Sequence, residues 1–428
     1  MLDVNLVRDN PGIIKKDLKK RGSLGKLKIV DELLILDKRR RDNITLENEL
    51  RRRRNRISEE VGRLRKEGVD ITDKLREAKK IPEKIKDVRG AVIEAEAEMQ
   101  RILYRLPNIL HPSVPVGDGE EDNQVTRKWG KKRDFDFEPK DHIDLGLSLD
   151  LIDVERAGKV AGTRFYYLKK ELVQLNYALM NFALDFMVEK GFLIYQPPYM
   201  LRRRGVESST DLADFEDVIY KIEDEDLYLL PTSEFALLAL HTDEILDGKM
   251  LPLRYSGISP CFRKEAGTHG RDTKGIFRVH QFEKVEQFVL SRPEKSWEEH
   301  EKLISNAEEM FQKLRLPYRV MNVCTGDIGS VAAKKYDLEA WLPGQGKYRE
   351  MVSCSNCTEY QARRANIRFR DSPGKSTRHT HTLNSTLVAT ERTLIAIMEN
   401  YQLADGSIEI PKALVPYMKG LRVIQRKT

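Results

Sequence analysis

The sequence predicts an α+β chain in two parts: an N-terminal antiparallel pair of long helices, then a larger body with a mostly antiparallel sheet flanked by helices. Three observations carry this expectation. The chain has 428 residues, too many for one ordinary domain. Residues 1–110 hold 29 Lys and Arg against 20 Asp and Glu, a net of +9, whereas residues 111–428 hold 46 against 48, a net of −2. Finally, a helical apolar repeat fills the first part, and short apolar runs alternate with helical ones in the second. We therefore divide the chain into 1–110 and 111–428.

The hairpin comes first. From Leu75 to Leu106 apolar residues recur at Leu75, Ala78, Ile81, Ile85, Val88, Val92, Ala95, Met99, Ile102 and Leu106, in steps of three and four. Such steps make a coiled-coil seam, with one slip near Ile81 where Pro82 predicts a kink. An earlier stretch, 28–66, carries Ile29, Leu33, Leu36, Leu50, Ile57, Val61 and Leu64 at compatible steps, with Arg40, Asn43 and Glu47 in its poorer middle. Between them Glu67-Gly68-Val69-Asp70 reads as a helix-stopping turn. Helices joined so tightly run antiparallel, and at ~1.5 Å per residue each spans roughly 55–60 Å. Arg51, Arg52, Arg53, Arg54 and Arg56 fall in the distal half of the first helix, with Lys74, Arg76, Lys79 and Lys80 opposite them. A charged helix face is ordinarily just solvated; two facing basic patches also suit a nucleic-acid backbone.

The body follows. Residues 111–150 read as loop and linker. A helix is expected over 168–189, then a strand over 192–195 leading into Gln196-Pro197-Pro198. Further strands are expected over 227–230, 277–290 and 348–354, and helices over 298–314 and 386–400. The strands do not alternate regularly with helices, so the sheet is mostly antiparallel or mixed, not doubly wound.

Composition excludes several classes. No run approaches the roughly 18 apolar residues of a membrane span. The start, MLDVNLVRDNPG, lacks an apolar signal core and carries Asp3 and Asp9, so neither secretion nor an organellar leader is expected. Four cysteines (Cys261, Cys324, Cys354 and Cys357) are too few for a disulfide scaffold, and a reducing cytoplasmic location is expected. There is no G-x-G-x-x-G after a strand and no G-x-x-x-x-G-K-[ST].

The densest polar region is 254–288. A strand-like segment ends in Cys261-Phe262-Arg263-Lys264-Glu265; a loop with Gly267, Gly270 and Gly275 follows; then a second strand-like segment carries Arg278, His280, Phe282 and Glu286. Those four sit at even positions and so share a face of a strand. Arginine offers a planar fork to phosphate and phenylalanine a face to a purine, which suits a nucleotide cradle; a salt-bridged surface hairpin is the plainer alternative. Cys354-x-x-Cys357 is half a zinc site at most. His280, His379 and His381 read as hydrogen-bonded rather than metal-bound.

The motifs GFLIYQPPYM, LLPTSE, FRKEAG…GRDTKGIFRVHQFEKVE, SCSNCTEYQARR and ATERTLIAIMENYQ occur in one order along the chain. Together with the start MLDVNLVRDNP, they resemble the seryl-tRNA synthetases, class II aminoacyl-tRNA synthetases. The resemblance implies a tRNA-binding coiled-coil domain over 1–110 and a catalytic domain over 111–428. The implied reaction activates L-serine with ATP and Mg²⁺ to seryl-adenylate and transfers serine to tRNA-Ser, with tRNA-Sec as a further acceptor. It implies a homodimer with Pro198 at its interface and tRNA contacts along the arm, at the arginines and lysines named above. One subunit's arm would present tRNA to the other's active site.

Residue by residue, the resemblance assigns Thr232, Ser233 and Glu234 to serine, with Glu286 and Thr386. Arg263 matches the arginine on the α-phosphate and Arg392 the one on the triphosphate; these two are the expected catalytic residues, and Arg263 also reaches serine. Lys264, Glu265, Arg278, Val279 and Phe282 complete the nucleotide contacts, with Phe282 under adenine. Glu350, Met351, Val352 and Ser353 form an ATP segment in which Glu350 and Ser353 match the metal positions. The physics agrees. Carboxylate attack on the α-phosphate builds charge that two arginines and a hard cation can offset, and the amino acid supplies its own nucleophile. A site built around a hydroxyl discriminates against analogues lacking it.

Three departures stand out. Asn384-Ser385-Thr386-Leu387 replaces the common N-G-S-G, Glu391 stands before Arg392 in place of glycine, and the loop reads T-S-E. All three resemble the archaeal and eukaryotic side of the family. Two other readings stay open at this level: a related ligase that loads an amino acid onto another carrier, and a non-catalytic coiled-coil protein that binds nucleic acid.

Overall fold

A computed structural model describes residues 1–210, 216–265 and 275–426. Gly267 and Gly270 of the glycine-rich loop lie outside these residues. The contacts divide the chain into two units, Met1–Ile109 and Leu110–Thr428.

In the first unit, two short helices, Val4–Asp9 and Pro11–Lys20, precede α1 (Leu27–Lys66) and α2 (Thr72–Arg105), which pack as a hairpin. The apolar repeat of α2 is its packed seam: Ile81, Val92, Ala95, Met99 and Ile102 are buried, and Leu106 is buried just past its end. Leu75, nearest the turn, is exposed. The helix continues through Pro82. In α1 the polar middle (Arg40, Asn43 and Glu47) is half-buried, as its seam position requires. One charge is fully buried: Asp37 accepts from Arg8 Nε at 2.7 Å and Arg41 Nε at 3.0 Å. The hydrogen bond from Arg8 holds its carboxyl below the usual range.

In the second unit, eight strands form one sheet: β1 (Gln124–Trp129), β2 (Leu193–Tyr195), β3 (Leu253–Phe262), β4 (Gln281–Ser291), β5 (Tyr318–Asn322), β6 (Lys334–Leu342), β7 (Lys347–Thr358) and β8 (His381–Ala389). Their spatial order is β1-β5-β6-β7-β8-β4-β3-β2. Every neighbouring pair is antiparallel except β2 with β3. The sheet is therefore mostly antiparallel, as expected. Long helices α3 (Lys170–Glu189), α5 (Ser296–Lys313) and α7 (Thr390–Asn400) pack on it, while short α4 (Ser233–Ala239) packs against the middle of β3 and α6 (Tyr360–Ala365) follows the end of β7. The core is drawn from the inward faces: Leu175, Leu179 and Phe186 of α3, Ile304 and Phe311 of α5, Leu394 and Ile397 of α7, and Val285, Leu338 and Val352 of the sheet.

Four expectations are corrected. The supposed linker contains the edge strand β1 and a helix, His142–Ser148. Residues 228–229 form a separate two-stranded ribbon with Met200–Leu201. β4 begins at Gln281, so Arg278, Val279 and His280 precede the strand. Thr386, expected to open a helix, lies within β8, because pairing against Glu286 of β4 extends this β-branched run. Among the described residues no helix is long and apolar enough to cross a membrane.

Candidate active site

A cavity of about 560 Å³ opens over the centre of the sheet, where β8, β4 and β7 supply its floor. Period-two alternation decides which side chains reach it. On β4, Phe282, Lys284 and Glu286 line the cavity, while Val285 and Val289 turn into the core. On β7, Ser353, Ser355 and Cys357 line it, while Val352 and Cys354 turn away. Met351 is the unpaired residue of a bulge between Glu350 and Val352, and the bulge brings both Glu350 and Met351 to the cavity. On β8 the lining residues are Asn384, Thr386 and, at the strand's end, Ala389.

Most of the expected residues converge here. Thr232 and Glu234 line the cavity at the N-terminus of α4, where the Thr232 hydroxyl caps the Glu234 amide. Glu234 Oε1 accepts from Gln361 Nε2 at 2.7 Å and Asn384 Nδ2 at 3.0 Å. Burial, reinforced by nearby Glu286, pushes its carboxyl up to about 7. Glu286 Oε2 accepts from Lys284 Nζ at 2.6 Å and Thr386 Oγ1 at 3.5 Å. Burial raises the Glu286 pKa as well, with Lys284 opposing.

The nucleotide side is built differently. The Arg263 guanidinium carbon sits 5.0 Å from the Phe282 ring centroid, and its Nε donates to Pro231 O at 3.3 Å. Arg278 pairs with Glu265 at 3.7 Å, and both line the cavity together with Val279. Arg392, on the first turn of α7, donates to Glu350 O at 3.1 Å and lies 3.4 Å from Glu350 Oε2. Burial works against ionisation of Glu350, yet Arg392, Lys335 and Arg263 hold its carboxyl below its ordinary value. Phe277 carries a guanidinium at 3.8 Å (Arg349) and another at 4.9 Å (Arg392), measured from its ring centroid.

Three expected residues do not reach the cavity. Ser233 is fully buried and donates to Gly257 O at 3.3 Å, because the first turn of α4 rotates it against β3. Lys264 Nζ turns to Glu216 O at 3.3 Å. Val352 packs in the core by strand alternation.

Lys284, Asn384, Ser355 and Cys357 were not expected from sequence to line the site, but alternation from Phe282, Thr386 and Ser353 reaches each of them. Gln361 and Phe277 had no such signal. Glu391 has a clear role. Its carboxylate takes the Glu283 amide at 3.2 and 3.0 Å, the Thr390 hydroxyl at 3.1 Å and the Tyr166 hydroxyl. Burial raises its pKa to about 7. The histidines are hydrogen-bonded: His280 to Tyr220 and Arg263 O, His379 to Ile367 O, His381 to Ser296. All four cysteines are buried thiols outside any disulfide.

The chain is similar to known proteins along its whole length. The serine–tRNA ligase of Pyrococcus horikoshii is 55% identical over 437 aligned residues, covering 97% of this chain and 96% of that one. The crystal structure of seryl-tRNA synthetase from Pyrococcus horikoshii complexed with ATP superposes with a TM-score of 0.97 at 54% identity, covering all of both chains. The cytoplasmic serine–tRNA ligase of Naegleria fowleri in complex with AMP gives 0.91 at 37% identity, covering 100% of this chain and 99% of that one.

The body is a class II aminoacyl-tRNA synthetase core: the family model described as the tRNA synthetase class II core domain (G, H, P, S and T) matches residues 219–401. The model described as the seryl-tRNA synthetase N-terminal domain matches residues 1–110. The chain belongs to the seryl-tRNA synthetase family, the serine–tRNA ligases.

Proposed function

We propose that this chain joins L-serine to ATP as seryl-adenylate, releases pyrophosphate, and passes the seryl group to the terminal ribose of tRNA-Ser. The observation that carries the reading is the division of one cavity into two chemistries. Buried Glu286, Thr386 and Thr232, with half-buried Glu234, offer a hydrogen-bonding pocket. Beside it, Arg263, Arg392 and Arg278 offer positive charge next to the half-buried ring of Phe282. Serine fits the first part: an ammonium for a carboxylate, a hydroxyl for Thr386. ATP fits the second: adenine on Phe282, phosphates on the arginines, and the α-phosphate nearest Arg263. Charge developing on the α-phosphate is then met by fixed guanidinium groups.

Glu350 and Ser353 suit Mg²⁺. Their donors are hard oxygens, the Glu350 carboxylate is held ionised by its neighbours, and Mg²⁺ characteristically takes one or two carboxylates and completes its shell with phosphate and water. When bound, the ion would neutralise phosphate charge that Arg392 alone does not.

The exposed arginines and lysines of the hairpin are read as the tRNA contact. Arg51, Arg53, Lys74 and Arg76 are engaged in ion pairs with Glu47, Glu77, Glu60 and Asp73. Arg52, Arg54, Arg56, Lys79 and Lys80 make no ion pair among the described residues, which leaves them available to phosphates. A homodimer is supported by exposed apolar Leu193, Ile194 and Met200 around Pro198. A cytoplasmic location and tRNA-Sec as a second acceptor belong to the same reading.

The test is serine-dependent ATP–pyrophosphate exchange beside charging of tRNA-Ser with labelled serine, each repeated with threonine and cysteine. Exchange without charging would favour a ligase for another carrier. Exchange unchanged by Arg263→Ala, Glu286→Ala and Arg392→Ala would overturn the site.

A further inference from the structure

We propose that Lys284 is a positioning residue of the serine pocket. In this role it ties one oxygen of Glu286 and leaves the other charged and aimed at the substrate ammonium. The inference rests on the reading of Glu286 as the serine-binding acid.

The pocket holds two carboxylates, Glu286 buried and Glu234 half-buried, and each has one oxygen committed. Glu234 Oε1 is held by two neutral amides, Gln361 and Asn384. Glu286 Oε2 is held by Lys284 Nζ at 2.6 Å and by the Thr386 hydroxyl. Oε2 of Glu234 and Oε1 of Glu286 have no hydrogen-bond partner among the described residues. Lys284 and Glu286 stand two apart on β4 and so share the cavity face, with side chains 7% and 2% exposed. A lysine this deep loses its hydration, and a methionine would pack there at less cost. Its presence calls for a role that packing does not give.

Charge supplies one. The groups facing Glu286 are Lys284 on its own strand, Glu234 of α4, Arg263 beyond β3, and the thiols Cys261 and Cys354. Arg263 leans on Phe282 and Pro231, toward the nucleotide side. On the serine side one lysine faces two carboxylates; Glu234, with its pKa pushed up to about 7, is partly protonated near neutral pH, so the charge of Glu286 is the one left for the α-ammonium of serine. Without Lys284, Glu286 would take up a proton more readily, and its charge would be lost at the lower end of the working pH range.

The experiment uses the full-length enzyme with Lys284→Met, Lys284→Gln and Lys284→Arg, and Glu286→Gln alongside, in ATP–pyrophosphate exchange from about pH 6.5 to about pH 8.5. Lys284→Met should raise the serine KM roughly tenfold at neutral pH, the equivalent of one pH unit of lost ionisation, with the ATP KM moved less than about twofold. The deficit should narrow as pH rises, and Lys284→Arg should recover most of it. Should Lys284→Met fail to fold, Lys284→Gln keeps a donor on Glu286 without the charge and must show the same pH-dependent deficit. A serine KM unchanged in the folded neutral variant overturns the proposal. So does an equal, pH-independent loss in both substrates, which would mark a merely structural ion pair. If Glu286→Gln itself leaves the serine KM unchanged, the reading of Glu286 fails first. If Glu286→Gln impairs serine and the lysine variants do not, only the role of Lys284 falls.

Discussion

Removing the Glu391 carboxylate tests how far the site depends on the support beneath Arg392. In Glu391→Ala the Glu283 amide, which reaches both carboxylate oxygens, is left without its acceptor, and so are the Tyr166 and Thr390 hydroxyls. A buried donor stripped of its partner costs about 1–3 kcal/mol. Relief of the carboxylate's own burial offsets part of the total. We expect a net loss of about 3 kcal/mol, and for a unit of this size roughly 2 °C in Tm per kcal/mol, so about 6 °C. The assay is a thermal scan by circular dichroism. Glu391→Gln keeps one acceptor oxygen and should lose less than half as much.

The pH dependence gives a second readout. The folded-state pKa of Glu391 is raised to about 7 from its ordinary 4.5, so the folded protein binds the extra proton between those values. Its contribution is fully present below the lower value and is lost as pH rises through the upper one. Glu391→Gln should therefore flatten the fall in stability across that window. A Tm change below about 1 °C in Glu391→Ala, or a pH profile of Glu391→Gln parallel to the parent's, would refute the reasoning.

Three other outcomes follow from the geometry. Phe282→Leu removes the ring under adenine and should raise the ATP KM about tenfold or more in exchange assays, since base–aromatic stacking is worth ~1–3 kcal/mol, with the serine KM little changed. Glu350→Gln should shift the Mg²⁺ titration of exchange to higher concentration; an unchanged midpoint would remove Glu350 from the metal site. Changing Arg51, Arg52, Arg53 and Arg54 together to Glu should raise the KM for tRNA and leave serine activation nearly intact. Arg52→Glu with Arg56→Glu should reproduce much of that effect, because neither arginine is held in an ion pair among the described residues. Equal loss of charging and activation would mean that the patch supports folding.

The hairpin was legible because a seam of threes and fours has one physical meaning, and burial follows it from Ile81 to Leu106, with Ile85 and Val88 half-buried. Leu75 breaks the pattern because a helix end beside a turn has less partner to pack against. The buried Asp37 was hidden: an acid near a seam reads as a weak position, and its partner Arg8 comes from a different helix. Strand β1 was hidden for another reason. It pairs on one side only and is largely exposed, so it carries no apolar alternation to read. Within the site, the motif residues were legible, and alternation applied from Phe282 or Thr386 would have added Lys284 and Asn384. The bulge at Met351 was not legible, since nothing in Arg-Glu-Met-Val announces which residue goes unpaired.

The order of the sheet carries a consequence for how this chain is made. β8 lies between β7 and β4, and β1 must find β5 nearly two hundred residues further on. Contacts of such high sequence separation are slow to form and wait on synthesis. On the ribosome the first 109 residues have nearly all they need early, since their hairpin closes through a short turn. The sheet does not: until β8 has emerged, β4 and β7 each present an unpaired edge, the template on which chains aggregate. Arg392 follows β8 by only three residues, so the strand that seals those edges and the arginine that completes the cavity leave the ribosome almost together.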